Sequence, residues 1–256
     1  MESVLAFLVL GFSVGAFGTL IGVGGGIIFV PIFLLVYHWS PQHAIGTSLA
    51  VVFFNAISGS VAYIKQKKVY YDAAFRFSLA TLPGAFLGSY LAEYFTSGSF
   101  RIVFGVILMI MAILTYFRPS KKSEQDDFDP QTFRYSRTKG VVLSAGVGFL
   151  SSILGIGGGI IHVPAMVFML SFPPHIATAT SHFVLAISSL FGVASHLLLN
   201  NVLIKPALII GFGAVLGAQF GARLSLKVKS RSIMLLLAIA LFLLGIRLIN
   251  AGYFIS

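Results

Sequence analysis

The chain has 256 residues, of which 57% are apolar and only 9% charged, with 17 basic and 7 acidic side chains and no cysteine. A mean hydropathy of +0.98 excludes an ordinary soluble domain and indicates an integral membrane protein. The absence of cysteine excludes disulfides, thiolate nucleophiles and cysteine-ligated metals. The net charge of +10 is better explained by membrane orientation than by nucleic-acid binding.

Charges, prolines and glycine clusters divide the chain into ten apolar segments. Most are predicted helices, because lipid offers the backbone no hydrogen-bond partners. The segments cover residues 4–21, 26–38, 44–64, 73–92, 102–117, 140–154, 159–171, 176–199, 206–222 and 232–249. The second and seventh are too short to span a bilayer and both follow a glycine cluster, so we expect short half-helices or re-entrant hairpins there. The expected fold class is an all-α polytopic membrane protein.

A polar stretch between the fifth and sixth segments divides the chain in two. Residues 118–139 hold ten of the charged residues together with two prolines. We predict a solvated loop there, which gives a first transmembrane repeat (residues 1–117), a cytoplasmic linker (118–139) and a second transmembrane repeat (140–256).

The two halves repeat each other in one constant register, in which each position of the first half corresponds to the position numbered 133 higher. The segment Gly22 to Pro31 returns as Gly155 to Pro164, and 9 of the 17 positions from Gly15 to Pro31 are identical in the second copy. The same register relates Pro41 to Pro174, Thr47-Ser48 to Thr180-Ser181 and Gly84-Ala85 to Gly217-Ala218. One ungapped register across separated motifs indicates an internal duplication.

The basic residues predict that the two copies have opposite orientations. One basic cluster, Lys65 to Lys68, follows the third segment, whereas the other, Lys227 to Arg231, follows the ninth. If both clusters and the linker are cytoplasmic, 14 basic residues lie inside and 3 outside. Each half then crosses the cell membrane three or five times, and both termini face outward. Inverted repeats of this kind are typical of secondary transporters, whose substrate site lies near the midplane.

The glycine clusters are the first candidate binding element. Four glycines in five positions allow the backbone to turn and to approach a ligand closely. We interpret them as helix-breaking turns whose free N–H groups and following helix N-termini point at an anion. Close helix packing alone is the alternative. The candidate residues are Gly22, Gly24, Gly25, Gly26, Gly155, Gly157, Gly158 and Gly159.

Neutral hydrogen-bonding side chains form the second candidate element. Hydroxyl, amide and imidazole groups can replace the hydration shell of an oxyanion, although such groups also join helices to one another. The candidates are Thr47, Ser48 and Asn55 in the first half and Thr180, Ser181 and His182 in the second. A histidine at this depth could also take up a proton and couple it to transport.

The uncharged membrane segments contain no acidic residue. Cation-coupled carriers and proton pumps generally place carboxylates inside the bundle, so an anion is the natural passenger. No HExxH motif and no paired-histidine carboxylate cluster occurs, so we expect neither a metal site nor an enzyme. We expect no cofactor.

The duplicated motifs resemble the sulfite exporter TauE/SafE family over essentially the whole chain. The resemblance rests on Gly-x-Gly-Gly-Gly followed by proline in each half, on Gly46-Thr47-Ser48 and Ala179-Thr180-Ser181, and on Pro83-Gly84-Ala85 followed by Gly88. It implies a bacterial-type plasma-membrane exporter of sulfite, sulfoacetate or a related organosulfonate. The family's binding residues carry over only to the matching glycine and Thr-Ser positions, and sulfur specificity comes from the resemblance alone.

These observations predict a transporter in which two halves rock around a midplane cage for an oxyanion. A channel-like or accessory membrane subunit without a solute site is the main alternative, and an intramembrane hydrolase is a weaker one because no acid is positioned beside the serines and histidines. The expected partners are a small anion and membrane lipid but no nucleic acid, and the chain could form a homodimer.

Overall fold

The computed structural model describes residues 4–117, 132–225 and 230–253, and these form ten α-helices without a strand. The helices are α1 (Val4–Ile21), α2 (Gly26–Leu35), α3 (Pro41–Lys65), α4 (Tyr71–Ala92), α5 (Ser97–Phe117), α6 (Arg137–Leu154), α7 (Gly159–Met169), α8 (Pro174–Leu198), α9 (Ile204–Leu224) and α10 (Ser230–Tyr253). Most of the predicted linker (118–131) and the loop 226–229, with Lys227 and Lys229, lie outside the described residues.

The helices match the ten predicted segments, so the all-α fold class is confirmed. Within the described residues, α1, α3, α8 and α9 are long and apolar enough to cross a membrane by length and composition. The helix α3 begins earlier than the apolar segment because Pro41 suits a first helical position and the Ser40 side chain accepts a hydrogen bond from the His43 N–H.

Each short helix folds back against the long helix before it. The Phe7 ring near the start of α1 lies 5.4 Å from the Tyr37 ring just after α2. In the second half, the Tyr135 ring before α6 lies 5.2 Å from the Phe172 ring after α7. Because α2 and α7 have only 10 and 11 residues, each reaches about 15 Å. The pairs α1–α2 and α6–α7 are therefore hairpins whose tips lie deep in the protein.

The helices α3 and α8 run antiparallel through the centre of the protein. The Tyr63 ring near the end of α3 lies 5.7 Å from the His182 ring near the start of α8. At the other end, a methyl group at Gly46 of α3 would lie 2.5 Å from the carbonyl oxygen of Asn201, which follows α8. The helices are therefore aligned in opposite directions.

Small residues bring helices of the two halves into backbone contact. A methyl group at Gly84 of α4 would lie 2.3 Å from the Ala145 carbonyl oxygen of α6. At the equivalent place in the duplicated sequence, a methyl group at Gly217 of α9 would lie 2.2 Å from the Phe12 carbonyl oxygen of α1. Such close contact requires glycine, and it explains the repeated Gly-Ala motif.

The helices α5 and α10 pack together in the same way. A methyl group at Gly105 would lie 2.8 Å from the Gly245 carbonyl oxygen, and one at Gly245 would lie 2.9 Å from the Gly105 carbonyl oxygen. Further along the same seam, Ala112 and Ala238 are both buried. This seam joins the last helix of one half to the last helix of the other.

Large apolar side chains are exposed on the outer helix faces. On α4, Leu79, Phe86 and Leu87 are 68%, 61% and 57% exposed. An apolar surface of this extent would cause a soluble protein to aggregate, and lipid acyl chains are its natural solvent. The helix α2, by contrast, has Phe29 and Phe33 completely buried, so this hairpin arm is enclosed by protein.

Candidate functional site

Two glycine turns, the first elbow (Gly22–Gly26) and the second elbow (Gly155–Gly159), form the tips of the two hairpins. Both hold glycines in the left-handed backbone region, which other residues adopt at a cost. The matched φ angles are 76° and 71° for Gly22 and Gly155, 79° and 76° for Gly24 and Gly157, and 84° and 81° for Gly25 and Gly158. The duplicated glycine pattern thus reflects a duplicated backbone conformation.

The two elbows touch each other. A methyl group at Gly26 would lie 2.7 Å from the Gly155 carbonyl oxygen, and one at Gly159 would lie 2.4 Å from the Gly22 carbonyl oxygen. The residues Gly26 and Gly159 also begin α2 and α7, so two helix N-termini with their positive dipole ends meet at this contact.

Two apolar side chains, Val52 and Leu185 (the apolar pair), pack against both elbows. A methyl group at Gly24 would lie 2.4 Å from Leu185 Cδ2 and 3.2 Å from Val52 Cγ1. A methyl group at Gly157 would lie 2.7 Å from a methyl carbon of each. Both members are fully buried, and they occupy equivalent positions of the two repeats. The apolar pair therefore fills the space beside both elbows.

The two threonines of the repeated Thr-Ser motif join the halves. The Thr47 hydroxyl oxygen accepts a hydrogen bond of 3.0 Å from the Leu203 N–H. The Thr180 hydroxyl oxygen accepts one of 3.0 Å from the Tyr70 N–H. Since Leu203 and Tyr70 directly precede α9 and α4, each threonine fixes the start of a helix in the other half.

The two serines of the motif differ. The Ser48 hydroxyl donates a hydrogen bond of 2.8 Å to the Gly155 carbonyl in the second elbow. The Ser181 hydroxyl, at the equivalent position, is 1% exposed and has no hydrogen-bond partner. A buried polar group without a partner costs about 1–3 kcal/mol, so the Ser181 hydroxyl is a candidate for binding a ligand.

Three buried side chains from different helices, Thr19, Asn55 and His182, form a hydrogen-bonded cluster. The Thr19 hydroxyl donates to Asn55 Oδ1 at 3.0 Å, and Thr19 Oγ1 lies 3.4 Å from His182 Nε2. The Asn55 amide group donates to the Gly15 carbonyl at 2.9 Å. The cluster therefore ties α1 to α3 and α8 at the level of the first elbow.

Two further residues of α3 surround the His182 ring. A methyl group at Gly59 would lie 2.5 Å from His182 Nε2, so glycine there makes room for the ring. The Tyr63 hydroxyl donates a hydrogen bond of 2.8 Å to the Thr19 carbonyl, and its ring meets the imidazole edge to face. His182 is thus enclosed by uncharged groups.

The other two histidines of the membrane segments have different surroundings. His162 Nε2 lies 3.1 Å from the Ser144 hydroxyl within the second hairpin. His196 Nε2 lies 3.4 Å from the Ser152 carbonyl, and its Nδ1 lies 3.4 Å from the Asn201 amide nitrogen. Hydrogen bonds to neighbouring helices account for both rings.

The charged groups lie at helix ends. The Arg101 guanidinium, at the start of α5, donates a hydrogen bond of 3.1 Å to the Leu34 carbonyl. Its positive charge stabilises the C-terminal end of α2, where the helix dipole is negative. At the start of α4, Asp72 pairs with Arg76 at 3.0 Å and accepts a hydrogen bond from the Tyr135 hydroxyl. Burial and this neighbouring carboxylate raise the pKa of Tyr135.

Among the described residues, no group of three histidine or acidic side chains could hold a metal ion.

The predicted site residues thus fall into three groups. The elbow glycines meet at the centre, where Ser48 bonds the Gly155 carbonyl. Asn55 and His182 lie with Thr19 near the first elbow, and Ser181 precedes His182 in α8 with its side chain buried. The two threonines bond backbone groups that link the halves.

Sequence reasoning missed several residues of this site. Thr19 and Tyr63 complete the His182 cluster, and Val52 and Leu185 pack against both elbows. The constant register of the repeats shows that Val52 and Leu185 are equivalent positions. Nothing in their chemistry, however, distinguishes these two residues from the apolar residues around them.

Comparisons with known proteins identify the family of the chain. The model of the family described as sulfite exporter TauE/SafE matches residues 7–248. The chain is 37% identical to the probable membrane transporter protein YunE of Bacillus subtilis, covering 98% of this chain and 99% of that protein. It is 27% identical to the probable membrane transporter protein MJ0441 of Methanocaldococcus jannaschii, covering 93% and 92%. No solved structure matches the chain significantly.

Each of these relatives bears the name of a transporter, which favours transport over the hydrolase alternative. The family match spans both elbows and all the candidate site residues. The chain therefore belongs to the sulfite exporter TauE/SafE family and is a multi-pass membrane transporter.

Proposed function

We propose that the protein exports a small sulfur-containing oxyanion, such as sulfite, sulfoacetate or a related organosulfonate, by alternating access. The observation that carries the proposal is the meeting of two glycine elbows, each followed by a helix N-terminus, at the level where antiparallel α3 and α8 cross. Backbone N–H groups in the first turn of a helix lack intrahelical partners and favour an anion. The sulfur chemistry is taken from the family to which the chain belongs.

The halves 1–117 and 140–256 act in this proposal as inverted repeats, joined by the cytoplasmic linker 118–139. The antiparallel run of α3 and α8 supports the inversion, since these helices occupy equivalent positions in the duplicated sequence. The equivalent hydrogen bonds of Thr47 and Thr180 support it too, because each ties one half to the other. Rocking of one half against the other would then exchange two related conformations.

The anion binds at the two elbows in this mechanism. Its ligands are backbone groups of the elbows, with Ser181 and His182 as candidate side-chain ligands. The side chains of Thr47, Ser48, Asn55 and Thr180 hold the surrounding backbone in place. The apolar pair, Val52 and Leu185, closes the path between the two sides while the site is empty, because apolar side chains exclude water and ions. Movement of α3 relative to α8 separates the pair and opens the path on one side at a time.

The positive-inside distribution supports a cytoplasmic position for the basic cluster of Lys65 to Lys68 and an outward position for both termini. An inside-negative membrane potential favours exit of an anion by about 2.3 kcal/mol per charge per 100 mV. Facilitated export therefore requires no coupling ion.

Binding of a panel of anions to the purified protein tests this function. We expect sulfite or sulfoacetate to raise the unfolding temperature, and sulfate, taurine and chloride to define the selectivity. Stabilisation by a sulfur oxyanion supports the transporter. An unfolding temperature that no anion of the panel changes would instead favour an accessory subunit without a solute site.

A further inference from the structure

A line of hydrogen bonds connects an exposed carboxylate with a buried histidine where α4 and α8 end. The Asn201 amide nitrogen donates to the Glu93 carboxylate and also lies 3.4 Å from His196 Nδ1. On the other side of the ring, Nε2 lies 3.4 Å from the Ser152 carbonyl oxygen in α6. His196 is completely buried, whereas Glu93 is exposed. The buried ring is thus connected to the surface of the protein.

These partners determine where the neutral His196 ring carries its proton. A carbonyl oxygen only accepts hydrogen bonds, so Nε2 must carry the proton that points at Ser152. An amide nitrogen only donates, so Nδ1 must be the unprotonated acceptor of the Asn201 group. The Asn201 amide oxygen cannot take the place of the nitrogen, because it would then face the Glu93 carboxylate. Nδ1 is therefore the atom at which a further proton binds.

The first half has the equivalent bond without the imidazole. In the constant register, Tyr63 of α3 corresponds to His196 and Thr19 of α1 corresponds to Ser152. The Tyr63 hydroxyl donates to the Thr19 carbonyl at 2.8 Å, as the His196 ring does to the Ser152 carbonyl. Each bond ties the end of a central helix to the long arm of the hairpin in its own half. A phenol keeps its proton at physiological pH, so only the bond in the second half involves a group that changes charge there.

The bond between Glu93 and Asn201 joins the two halves. Glu93 directly follows α4 in the first half, and Asn201 follows α8 in the second. The start of α3 belongs to the same contact, since a methyl group at Gly46 would lie 2.5 Å from the Asn201 carbonyl oxygen. Gln42 Nε2 also donates to the Phe95 carbonyl at 3.1 Å, which holds α3 against the end of α4. Opening of this end requires these groups to separate.

One charged group acts on the His196 ring. Glu93 is held off the ring by Asn201, but its negative charge acts on the imidazole across this amide. The residues of α6 beside Ser152 are uncharged. Within the described part of the chain, the other titratable or charged side chains around α8 at this end are bonded elsewhere or exposed: His43, Arg101, His162 and Lys205.

We infer that Glu93, Asn201 and His196 form a pH switch that controls the contact between the halves at the outward face. The inference rests on the proposed function only for the orientation of that face. A solvent proton that binds Nδ1 removes the acceptor of the Asn201 amide nitrogen and gives the buried ring a positive charge. Asn201 must then present its oxygen to the new Nδ1–H, which takes its nitrogen from Glu93. Since a buried charge is costly unless it is paired or hydrated, acid favours the conformation in which the outward end opens to water.

Hydrogen–deuterium exchange of the purified protein tests the pH switch without a substrate. The Leu203 N–H bonds the Thr47 hydroxyl across the halves at the switch end, and the equivalent Tyr70 N–H bonds Thr180 at the opposite end. We expect protection of the peptide that contains Leu203, corrected for intrinsic exchange, to fall at least about threefold between about pH 8 and about pH 5.5. Protection of the peptide that contains Tyr70 should not fall.

Two variants assign this response to the ring and to the carboxylate. The His196→Tyr variant copies Tyr63 of the first half, so it should fold and lose the response. The Glu93→Gln variant keeps an acceptor for Asn201 but removes the negative charge that favours a protonated ring. Its response should therefore move to lower pH.

The matched control is His43→Gln, because His43 lies near the same end but bonds Ser40, and this variant should respond as the unaltered protein does. Sulfite efflux from sealed right-side-out vesicles gives a second readout. Acid outside should accelerate efflux at least about twofold through the unaltered protein but not through His196→Tyr. Ionisation of sulfite itself affects both proteins equally.

An exchange response that persists in His196→Tyr, or that disappears in His43→Gln, would overturn the inference. An unaltered protein without any response would do so as well. Because the exchange measurement needs no substrate, absence of sulfite efflux together with a normal exchange response would overturn the proposed function alone.

Discussion

Ser48 and Ser181 occupy equivalent positions in α3 and α8, yet within the described part of the chain only Ser48 has a hydrogen-bond partner, the Gly155 carbonyl at 2.8 Å. Both serines are buried. One serine therefore holds an elbow in place, and the other is a candidate ligand-binding group of the proposed site. We therefore expect Ser48 to contribute mainly to stability and Ser181 mainly to transport.

Alanine substitutions of the two serines should have opposite effects. The Ser48→Ala variant should lose about 1 kcal/mol of stability, because the buried hydrogen bond to Gly155 is removed. The Ser181→Ala variant should keep or gain stability but transport sulfite more slowly. Thermal unfolding in detergent and flux in proteoliposomes measure the two properties separately. A destabilised Ser181→Ala with normal flux would contradict the assignment.

Substitution of an elbow glycine should impair transport more than folding. At Gly25 the backbone φ is 84°, so Gly25→Ala introduces strain on the order of 1–2 kcal/mol. We expect folded protein in the membrane and a loss of at least about tenfold in flux, since the elbow backbone forms part of the site.

Gly146→Ala is the control for this experiment. Gly146 lies in α6 with no heavy atom within 4 Å of an added methyl group, so flux should be unchanged. Normal flux in Gly25→Ala would indicate that the elbow glycines serve helix packing alone and do not bind the anion.

The apolar pair should limit leakage of ions. Shortening Leu185 to alanine removes the methyl groups beside Gly24 and Gly157, so water and anions should cross the closed state more easily. We expect Leu185→Ala liposomes to show a higher basal chloride leak than liposomes with the unaltered protein. The control is Leu190→Ala on the same helix, where the side chain is 46% exposed. Equal leak in both variants would exclude a barrier role for Leu185.

The opposite orientation of the halves can be tested with single cysteines, since the chain contains none. Lys67 and Asn200 are equivalent in the two repeats and lie in turns with φ angles of 57° and 58°. Lys67→Cys should react with a membrane-impermeant maleimide only in permeabilised cells, whereas Asn200→Cys should react in intact cells. Labelling of both from the same side would exclude inverted repeats.

The helices are largely predictable from the sequence because lipid leaves the backbone few alternatives. The ten apolar segments correspond to ten helices, and the glycine clusters correspond to turns with matched φ angles. The apolar pattern predicts the end of α2 at residue 38, but the helix ends at Leu35. His38 adopts a positive φ of 54°, and no local signal marks that turn.

The partners of the site residues could not be predicted. Sequence spacing places Ser48 and Ser181 at equivalent positions but does not reveal that only one of them reaches an elbow carbonyl. That difference depends on how α3 and α8 pack across the molecule. In the same way, Thr19 and Tyr63 become neighbours of His182 only through contacts between distant helices.

Sulfite efflux from proteoliposomes under an imposed membrane potential tests the central claim most directly. The account predicts flux well above that of empty liposomes, accelerated by an inside-negative potential because net negative charge leaves the liposome. Absence of sulfite flux, or flux that does not respond to the potential, would contradict facilitated export of an anion.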